Sequence, residues 1–336
     1  MKTIIPGLLG TILLLSLLWR SDVSGLWTAL QAVRPGFLVA ACLMQLVTLG
    51  LLTAQWAGLL RTVAPQPVRT HQVFLMNLKG IVAEALTPGS KIGGESIRLL
   101  QFSRLLEGSS ARAGSVILVQ KGISMSAFTL LCLGSMVWMT VSVSSGYGGT
   151  EGAYVVAFLL LLTLTCILAA LAARPALASV LLQRLPWSED RKKRVSRATG
   201  RFVATVAHMA TQKRHLAGQF FLSLLIWGFF GVKSQLILYS LGISLSFGTV
   251  AAITYITYMV SMIPLAPGGL GTFEGSMVAL LLPLGVLMHA ALTAALVIRF
   301  VTFWFVVVFS LLVLGLCKAG RLVLYHVAWI PKETIV

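Results

Sequence analysis

Two short stretches of the chain combine breakable backbone with a carboxylate. The segment "PGSKIGGE" covers residues 88–95 and "PGGLGTFE" covers residues 267–274, so both read Pro-Gly-x5-Glu. The chain has four Pro-Gly pairs, and the other two, at residues 6 and 35, lack the glutamate. Proline and glycine interrupt helices, and a carboxylate within an apolar sequence usually has a functional role. These two stretches are therefore the first candidates for a site.

Each stretch is followed by one cation in the next apolar run. Lys121 lies 26 residues after Glu95, and Arg299 lies 25 residues after Glu274. The glutamates have three candidate roles: pairing with these cations, accepting a cationic group of a substrate, or binding protons. The sequence leaves these roles open.

Helix N-termini are the second source of chemistry at the two breaks. A new helix is expected to begin after each break, and its unpaired N–H groups and positive dipole end suit a phosphate or carboxylate. Glycines there would let the backbone approach a ligand closely, because no side chain intervenes. These glycines are Gly93, Gly94, Gly269 and Gly271.

Cations outnumber carboxylates among the candidate interior residues. Glu84, Glu95 and Glu274 stand against five cations, which favours an anionic headgroup such as a lipid phosphate. Arg98 is the preferred contact, since a guanidinium group binds phosphate bidentately. The five cations are Lys91, Arg98, Lys121, Lys233 and Arg299.

A purely structural interpretation also accounts for several of these residues. Proline and glycine kink ordinary transmembrane helices, and glycine-rich turns permit close helix packing. Lys121 and Lys233 could each snorkel to the membrane surface or complete an ion pair.

The composition indicates an all-α polytopic membrane protein. Of 336 residues, 57% are hydrophobic and 10% are charged. The net charge of +17 is explained by basic loops on one side of a membrane, so no nucleic-acid partner is expected. About 20 apolar residues cross a bilayer as a helix. We expect six such spans, at residues 4–19, 37–60, 113–143, 153–173, 216–241 and 290–316.

Charged loops predict the topology in the cell (inner) membrane. The linker 174–215 carries ten Lys or Arg residues and is expected to be cytoplasmic, as a helix on anionic headgroups. Residues 144–152 contain no Lys or Arg and are expected outside. Counting spans from these loops places both termini in the cytoplasm.

Four further segments are too short to span. Residues 72–87, 94–107, 249–263 and 274–288 each have about 15 residues, which rise roughly 22 Å as a helix. They predict two re-entrant hairpins, 72–107 and 249–288, that enter from opposite faces. Repeat 1 would cover 37–143 and repeat 2 would cover 216–316 of a single membrane domain, 1–336. Inverted repeats of this kind place a transporter's binding site near the bilayer midplane.

The stretches "LTPGSKIGGESIRLL" and "IPLAPGGLGTFEGSMVALLLPLGV" resemble a flippase-like membrane family that includes the transmembrane region of lysylphosphatidylglycerol synthases. The resemblance covers most of the chain and implies movement of a polar-headed lipid between leaflets. The soluble aminoacyl-transferase domain of the full synthases is expected to be missing. The family's polar motif falls on Pro88, Gly89, Gly94, Glu95, Arg98, Pro267, Gly268, Gly269, Gly271 and Glu274.

Three classes of function remain distinct at this point. A lipid flippase or transporter is the preferred hypothesis, with an anionic or aminoacylated phospholipid or a lipid-linked sugar as substrate. A lipid-modifying enzyme is the rival, although the sequence has no metal-ligand spacing and no GxSxG or Walker motif. The third class is a membrane scaffold. We expect membrane lipids as partners and no cofactor, and homo-oligomerisation stays open.

Overall fold

The computed structural model describes residues 23–87, 91–142, 189–262 and 267–328, and every regular element in these ranges is helical. The expected spans 4–19 and 153–173 lie outside the described residues. The α-helices are α1 Val23–Ala32, α2 Pro35–Arg61, α3 Thr70–Leu86, α4 Lys91–Leu105, α5 Ser110–Ser142, α6 Glu189–Thr211, α7 Lys213–Ser240, α8 Phe247–Ser261, α9 Thr272–Leu281, α10 Met288–Arg299 and α11 Phe305–Ala328.

Four helical segments of the described chain are long and apolar enough to cross a membrane. They coincide with the other four expected spans and run Pro35–Arg61, Ser110–Trp138, Lys213–Ser240 and Met288–Ala319. The last of these contains α10, a five-residue π-helical turn at Phe300–Trp304, and α11. Large apolar side chains on these segments, such as Leu43, Phe221 and Leu312, are exposed. Exposed apolar faces of this extent suit contact with lipid tails.

Two pairs of shorter helices lie in the segments of the two expected hairpins and are called the first and second hairpin below; their re-entry into a membrane stays a prediction. Helices α3 and α4 pack against each other, and so do α8 and α9. Helices α3 and α8 have 17 and 15 residues, so each alone is shorter than a bilayer core. Helix α9 is extended by a 3-10 turn at Leu282–Leu284 and is separated from α8 by the glycine-rich break.

The spanning helices of each half of the chain pack on helices of the other half. Helix α2, which precedes the first hairpin, packs on α7, which precedes the second. Helix α5, which follows the first hairpin, packs on α8 of the second, while α11 packs on α3 of the first. Each hairpin is therefore held by the spanning helix of the opposite half.

The linker 174–215 is described from residue 189 onward, and it forms α6 there. The Ser115 hydroxyl of α5 donates to the carbonyl oxygen of Phe202 in α6 at 3.1 Å. Arg201 of α6 is exposed. The helix expected from the basic linker is therefore present and packs along one side on α5.

Candidate functional site

The first hairpin carries a connected group of charges. The Arg98 guanidinium lies 2.9 Å from a Glu95 oxygen and 3.8 Å from a Glu84 oxygen. The Lys121 ammonium reaches the same Glu95 oxygen at 2.7 Å. Arg98 also donates to the Asn77 side-chain carbonyl at 3.3 Å. Glu95 therefore joins a cation of its own helix, α4, to a cation of the following span, α5.

Glycines allow the two helices of this hairpin to approach closely. A Cβ atom on Gly94 would lie 2.8 Å from the carbonyl oxygen of Gly80, which is shorter than van der Waals contact. A Cβ atom on Gly80 would lie 2.8 Å from Arg98 Nε, and one on Gly93 would lie 2.1 Å from the Thr87 hydroxyl. The space that we expected a ligand to use beside Gly93 and Gly94 is thus occupied by the hairpin itself.

Three further candidates from the sequence are Pro88, Gly89 and Lys91. Pro88 and Gly89 lie outside the described residues. Helix α4 begins at Lys91, directly after the tip.

The second break contains several residues in left-handed backbone conformations. Pro267–Gly269 forms a 3-10 turn, and Gly268, Gly269 and Gly271 have φ values of 60°, 73° and 75°. These left-handed conformations are accessible to glycine without steric cost. They turn the chain sharply, so that α9 begins at Thr272.

Glu274 satisfies the start of its own helix. Its Oε2 atom accepts a hydrogen bond from the Gly271 N–H at 2.7 Å, and the residue is 1% exposed. Sequence reasoning assigned free N–H groups at this helix start to a substrate anion, but the protein's own carboxylate takes the Gly271 N–H. The expected helix-terminal anion site is therefore at least partly filled internally.

Arg299 is the buried cation beside Glu274. Its Nε atom lies 3.9 Å from Glu274 Oε1, and the residue is 5% exposed. The guanidinium carbon lies 5.1 Å from the ring centre of Phe273 and 4.6 Å from that of Phe303. Its Nε and Nη2 atoms have no hydrogen-bond partner among the described residues. Arg299 therefore lies at a long distance from its countercharge, Glu274, and has donor atoms that no described residue uses.

One cavity of about 270 Å³ brings the two halves together. Glu84 and Arg98 of the first hairpin line it, together with Lys121 of α5, while Gly268 and Arg299 come from the second half. Aromatic side chains form another part of its wall. The remaining polar lining comes from Gln45, Thr48, Gln55, Gln120, Ser124, Ser261 and Thr302.

Lys233 lies behind this wall instead of in it. It is fully buried and donates to the side chains of Gln45 and Thr48, which line the cavity. Its ammonium lies 4.1 Å from the ring centre of Phe230. Lys233 thus orients polar lining residues, and the substrate contact expected for it is indirect in this arrangement.

Several lining residues were absent from the sequence-based candidates. The Tyr258 hydroxyl donates to Thr302, within the π-helical turn, at 2.9 Å, and the Trp227 indole donates to Ser124 at 3.1 Å. π-Helical turns are rare and often lie at functional sites. The sequence feature that could have identified these positions is a polar or amphipathic residue within an otherwise apolar run.

Comparison with known proteins identifies the family. The family model described as the lysylphosphatidylglycerol synthase TM region matches residues 4–310. The chain belongs to this family. The family expected from the two Pro-Gly stretches is thus confirmed, and the protein is an integral multi-pass membrane protein.

Archaeal relatives match over most of their length. A UPF0104 membrane protein of Pyrococcus horikoshii is 26% identical over 315 residues, covering 90% of this chain and 94% of the relative. A UPF0104 membrane protein of Methanothermobacter thermautotrophicus is 25% identical over 292 residues, covering 83% and 84%. Both relatives therefore align with this chain over more than four-fifths of its length.

Proposed function

We propose that this protein is a lipid flippase or lipid transporter. The polar headgroup of a phosphate-bearing lipid would enter the central cavity while the acyl chains stay in the bilayer. The observation that carries the proposal is the cavity itself, because it joins charged residues of both halves inside a membrane protein. Ionisable groups buried in membrane proteins usually mark a substrate or ion path.

The charge arrangement supports Arg299 as the phosphate contact. Arg98 was the preferred candidate from the sequence, but its guanidinium already contacts Glu84, Glu95 and Asn77. Arg299 retains two donor atoms that no described residue uses, Nε and Nη2, whereas Arg98 retains one, Nε. A guanidinium with free donors can form charge-assisted hydrogen bonds to phosphate oxygens.

The glutamates are better placed to balance cations than to contact an anion directly. Glu95 pairs with Arg98 and Lys121, and Glu274 faces Arg299. Of the three roles open for these carboxylates, pairing with the cations has direct geometric support. A substrate phosphate that approached Arg299 would share it with Glu274, which provides a way to release the headgroup again.

The reciprocal helix contacts between the two halves support an inverted repeat. Helix α5 packs on the second hairpin and α11 packs on the first, so the two halves have reciprocal contacts. With the first hairpin entering from the cytoplasm and the second from outside, residues 37–143 and 216–316 would have opposite orientations. Rocking of such halves around a central site is a common transport mechanism.

The proposal is tested by following a labelled lipid across the membrane of proteoliposomes. The wild type is compared with Glu95→Gln, Glu274→Gln and Arg299→Gln. Loss of a charge-assisted hydrogen bond costs roughly 1.5–3 kcal/mol, so we expect Arg299→Gln to slow lipid movement about 10- to 100-fold. The variant Arg98→Ala tests the alternative phosphate contact.

A matched control is available outside the cavity. Glu107 and Arg112 form an ion pair at 3.6 Å in which both side chains are substantially exposed. Glu107→Gln changes a carboxylate in the same way and should leave lipid movement unchanged. Wild-type rates in Arg98→Ala and Arg299→Gln, whose side chains line the cavity, and in both glutamate variants would refute the site and favour a scaffold. Chemical alteration of the labelled lipid would favour a lipid-modifying enzyme.

A further inference from the structure

A second pocket lies on the outer face of the first hairpin. It is a groove of about 520 Å³ between α3, α4 and Leu314 of α11. Lys79 of α3 and Arg104 of α4 both line it, and both residues are exposed. None of its lining residues lines the central cavity, so the two pockets occupy opposite faces of the same helix pair.

The groove has a polar end and an apolar end. Along α3, Val82, Ala83 and Leu86 lie between Lys79 and the hairpin tip, and Leu86 is seven residues or roughly 10 Å beyond Lys79. Along α4, Leu100 is nearer the tip than Arg104. The charges therefore lie toward the base of the hairpin and the leucines toward its tip.

The apolar end of this groove is open. Leu86 is 77% exposed and Leu100 is 58% exposed. Among the described residues that line the groove, Lys79 and Arg104 are the charged ones, and no carboxylate accompanies them. An occupant with one anionic end and one apolar end would match both features, because it would neutralise the cations and cover the leucines.

We propose that this groove binds an anionic phospholipid, with its phosphate between Lys79 and Arg104 and an acyl chain along Leu86 and Leu100. Gln101 lines the groove between the two ends and can donate to the ester or glycerol oxygens. A free phosphate would leave the leucines uncovered, and a zwitterionic lipid would leave the net positive charge uncompensated. The site does not depend on transport through the central cavity.

Binding is measured by native mass spectrometry of the delipidated, full-length protein in detergent. The probes are phosphatidylglycerol and phosphatidylcholine with identical acyl chains, and soluble glycerol phosphate. Each basic residue near an anionic lipid contributes roughly a fivefold factor. We expect Lys79→Gln/Arg104→Gln to weaken phosphatidylglycerol binding about 30-fold, with little change for phosphatidylcholine.

Three variants keep the test specific. Lys79→Arg/Arg104→Lys preserves both charges and should retain phosphatidylglycerol binding, which separates charge loss from misfolding. Lys213→Gln/Arg214→Gln removes two exposed charges elsewhere and should have little effect. Leu86→Ser/Leu100→Ser should weaken both phospholipids equally.

Several outcomes would overturn the site. Equal losses of phosphatidylglycerol affinity in Lys79→Gln/Arg104→Gln and in Lys213→Gln/Arg214→Gln would indicate diffuse electrostatic attraction to the protein surface. Equal wild-type affinity for the two phospholipids would remove the anionic preference, and binding of glycerol phosphate alone would indicate a headgroup site without acyl-chain contacts. If lipid movement in proteoliposomes fails in cavity variants while groove binding persists, the two sites are separate in function.

Discussion

The two Pro-Gly breaks have the same residue pattern but place their glutamates differently. In the first hairpin, Glu95 turns toward cations and bridges Arg98 of its own helix to Lys121 of the next span. In the second, Glu274 turns back to the backbone and accepts the Gly271 N–H, while Arg299 stays at 3.9 Å. One break thus has a shared carboxylate, and the other has a carboxylate fixed by its own helix start.

This difference gives the two halves unequal chemistry beside one cavity, which is lined by the partner cations Arg98, Lys121 and Arg299 but not by the two glutamates. Around Glu95 the charges neutralise one another at short distances, so an incoming anion would have to displace a carboxylate. Around Glu274 the backbone holds the carboxylate, and the guanidinium of Arg299 keeps donors available. Under the transport proposal, the second half therefore offers the more available donors for an anion, whereas the cations of the first half are held in ion pairs.

Replacing Glu274 should have the largest effect on folding. Glu274→Ala removes the acceptor of the Gly271 N–H and leaves Arg299 as a buried cation without its countercharge. Breaking a buried ion pair from one side costs about 3–5 kcal/mol. We expect the free energy of unfolding in mixed detergent micelles to fall by about that amount.

The matched change in the first half is Glu95→Ala. The Glu95 side chain is 22% exposed and that of Lys121 is 35% exposed, so water can partly replace this pair. Arg98, which also loses Glu95, is buried but keeps Glu84 at 3.8 Å. The loss should be clearly smaller than for Glu274→Ala. Equal losses would show that the two glutamates have equivalent structural roles and would remove the contrast between the halves.

Sequence reasoning located both breaks, but their local geometry depends on packing. Apolar length predicted the four described spans. The sequence noted the matching offsets of Lys121 and Arg299 and left their pairing open; the two cations lie 2.7 Å from Glu95 and 3.9 Å from Glu274. The capping role of Glu274 requires the left-handed turn before it. The identity of any single residue in that turn does not predict its conformation. The glycines of the first break are explained by contacts with Gly80 and Thr87, which lie outside the motif.

The close packing around Gly94 predicts the next largest effect on stability. Gly94→Ala would place a Cβ atom 2.8 Å from the rigid backbone oxygen of Gly80. Overpacking of this kind costs roughly 1–3 kcal/mol, and we expect α3 and α4 to separate. The free energy of unfolding and the crosslinking rate of cysteines placed in α3 and α4 would measure both consequences.

An open helical glycine provides the control for that substitution. Apart from its chain neighbours and the backbone of α7, no heavy atom of the described residues lies within 4 Å of a Cβ atom built on Gly228. Alanine is favoured over glycine inside helices by about 1 kcal/mol, so Gly228→Ala should be neutral or stabilising. Destabilisation by both variants would attribute the effect to the loss of glycine in general and not to close packing of the hairpin.

Removing one cation from the shared carboxylate should have a smaller effect. Lys121→Gln leaves Glu95 paired with Arg98 at 2.9 Å, and the lost pair is partly exposed. We expect a decrease in unfolding free energy of about 1 kcal/mol or less. Arg299→Gln should cost several times more, because Glu274 then loses its buried partner; the reverse order would contradict the unequal roles of the two halves.

The turns that follow the two hairpins predict the smallest effect. After α4, Glu107 has φ of 56°, whereas after α9 the corresponding left-handed position is Gly285, with φ of 80°. A left-handed conformation costs roughly 1–2 kcal/mol for most L-residues, and asparagine tolerates it better. Glu107→Asn relieves part of this strain but loses the exposed pair with Arg112, which contributes at most about 1 kcal/mol. We therefore expect a small net stabilisation of a few tenths of a kcal/mol, measured as unfolding free energy.

Glu107→Gln keeps the strain and removes the charge, so it should be slightly destabilising. The opposite order for these two variants would show that the ion pair outweighs the backbone strain at this turn.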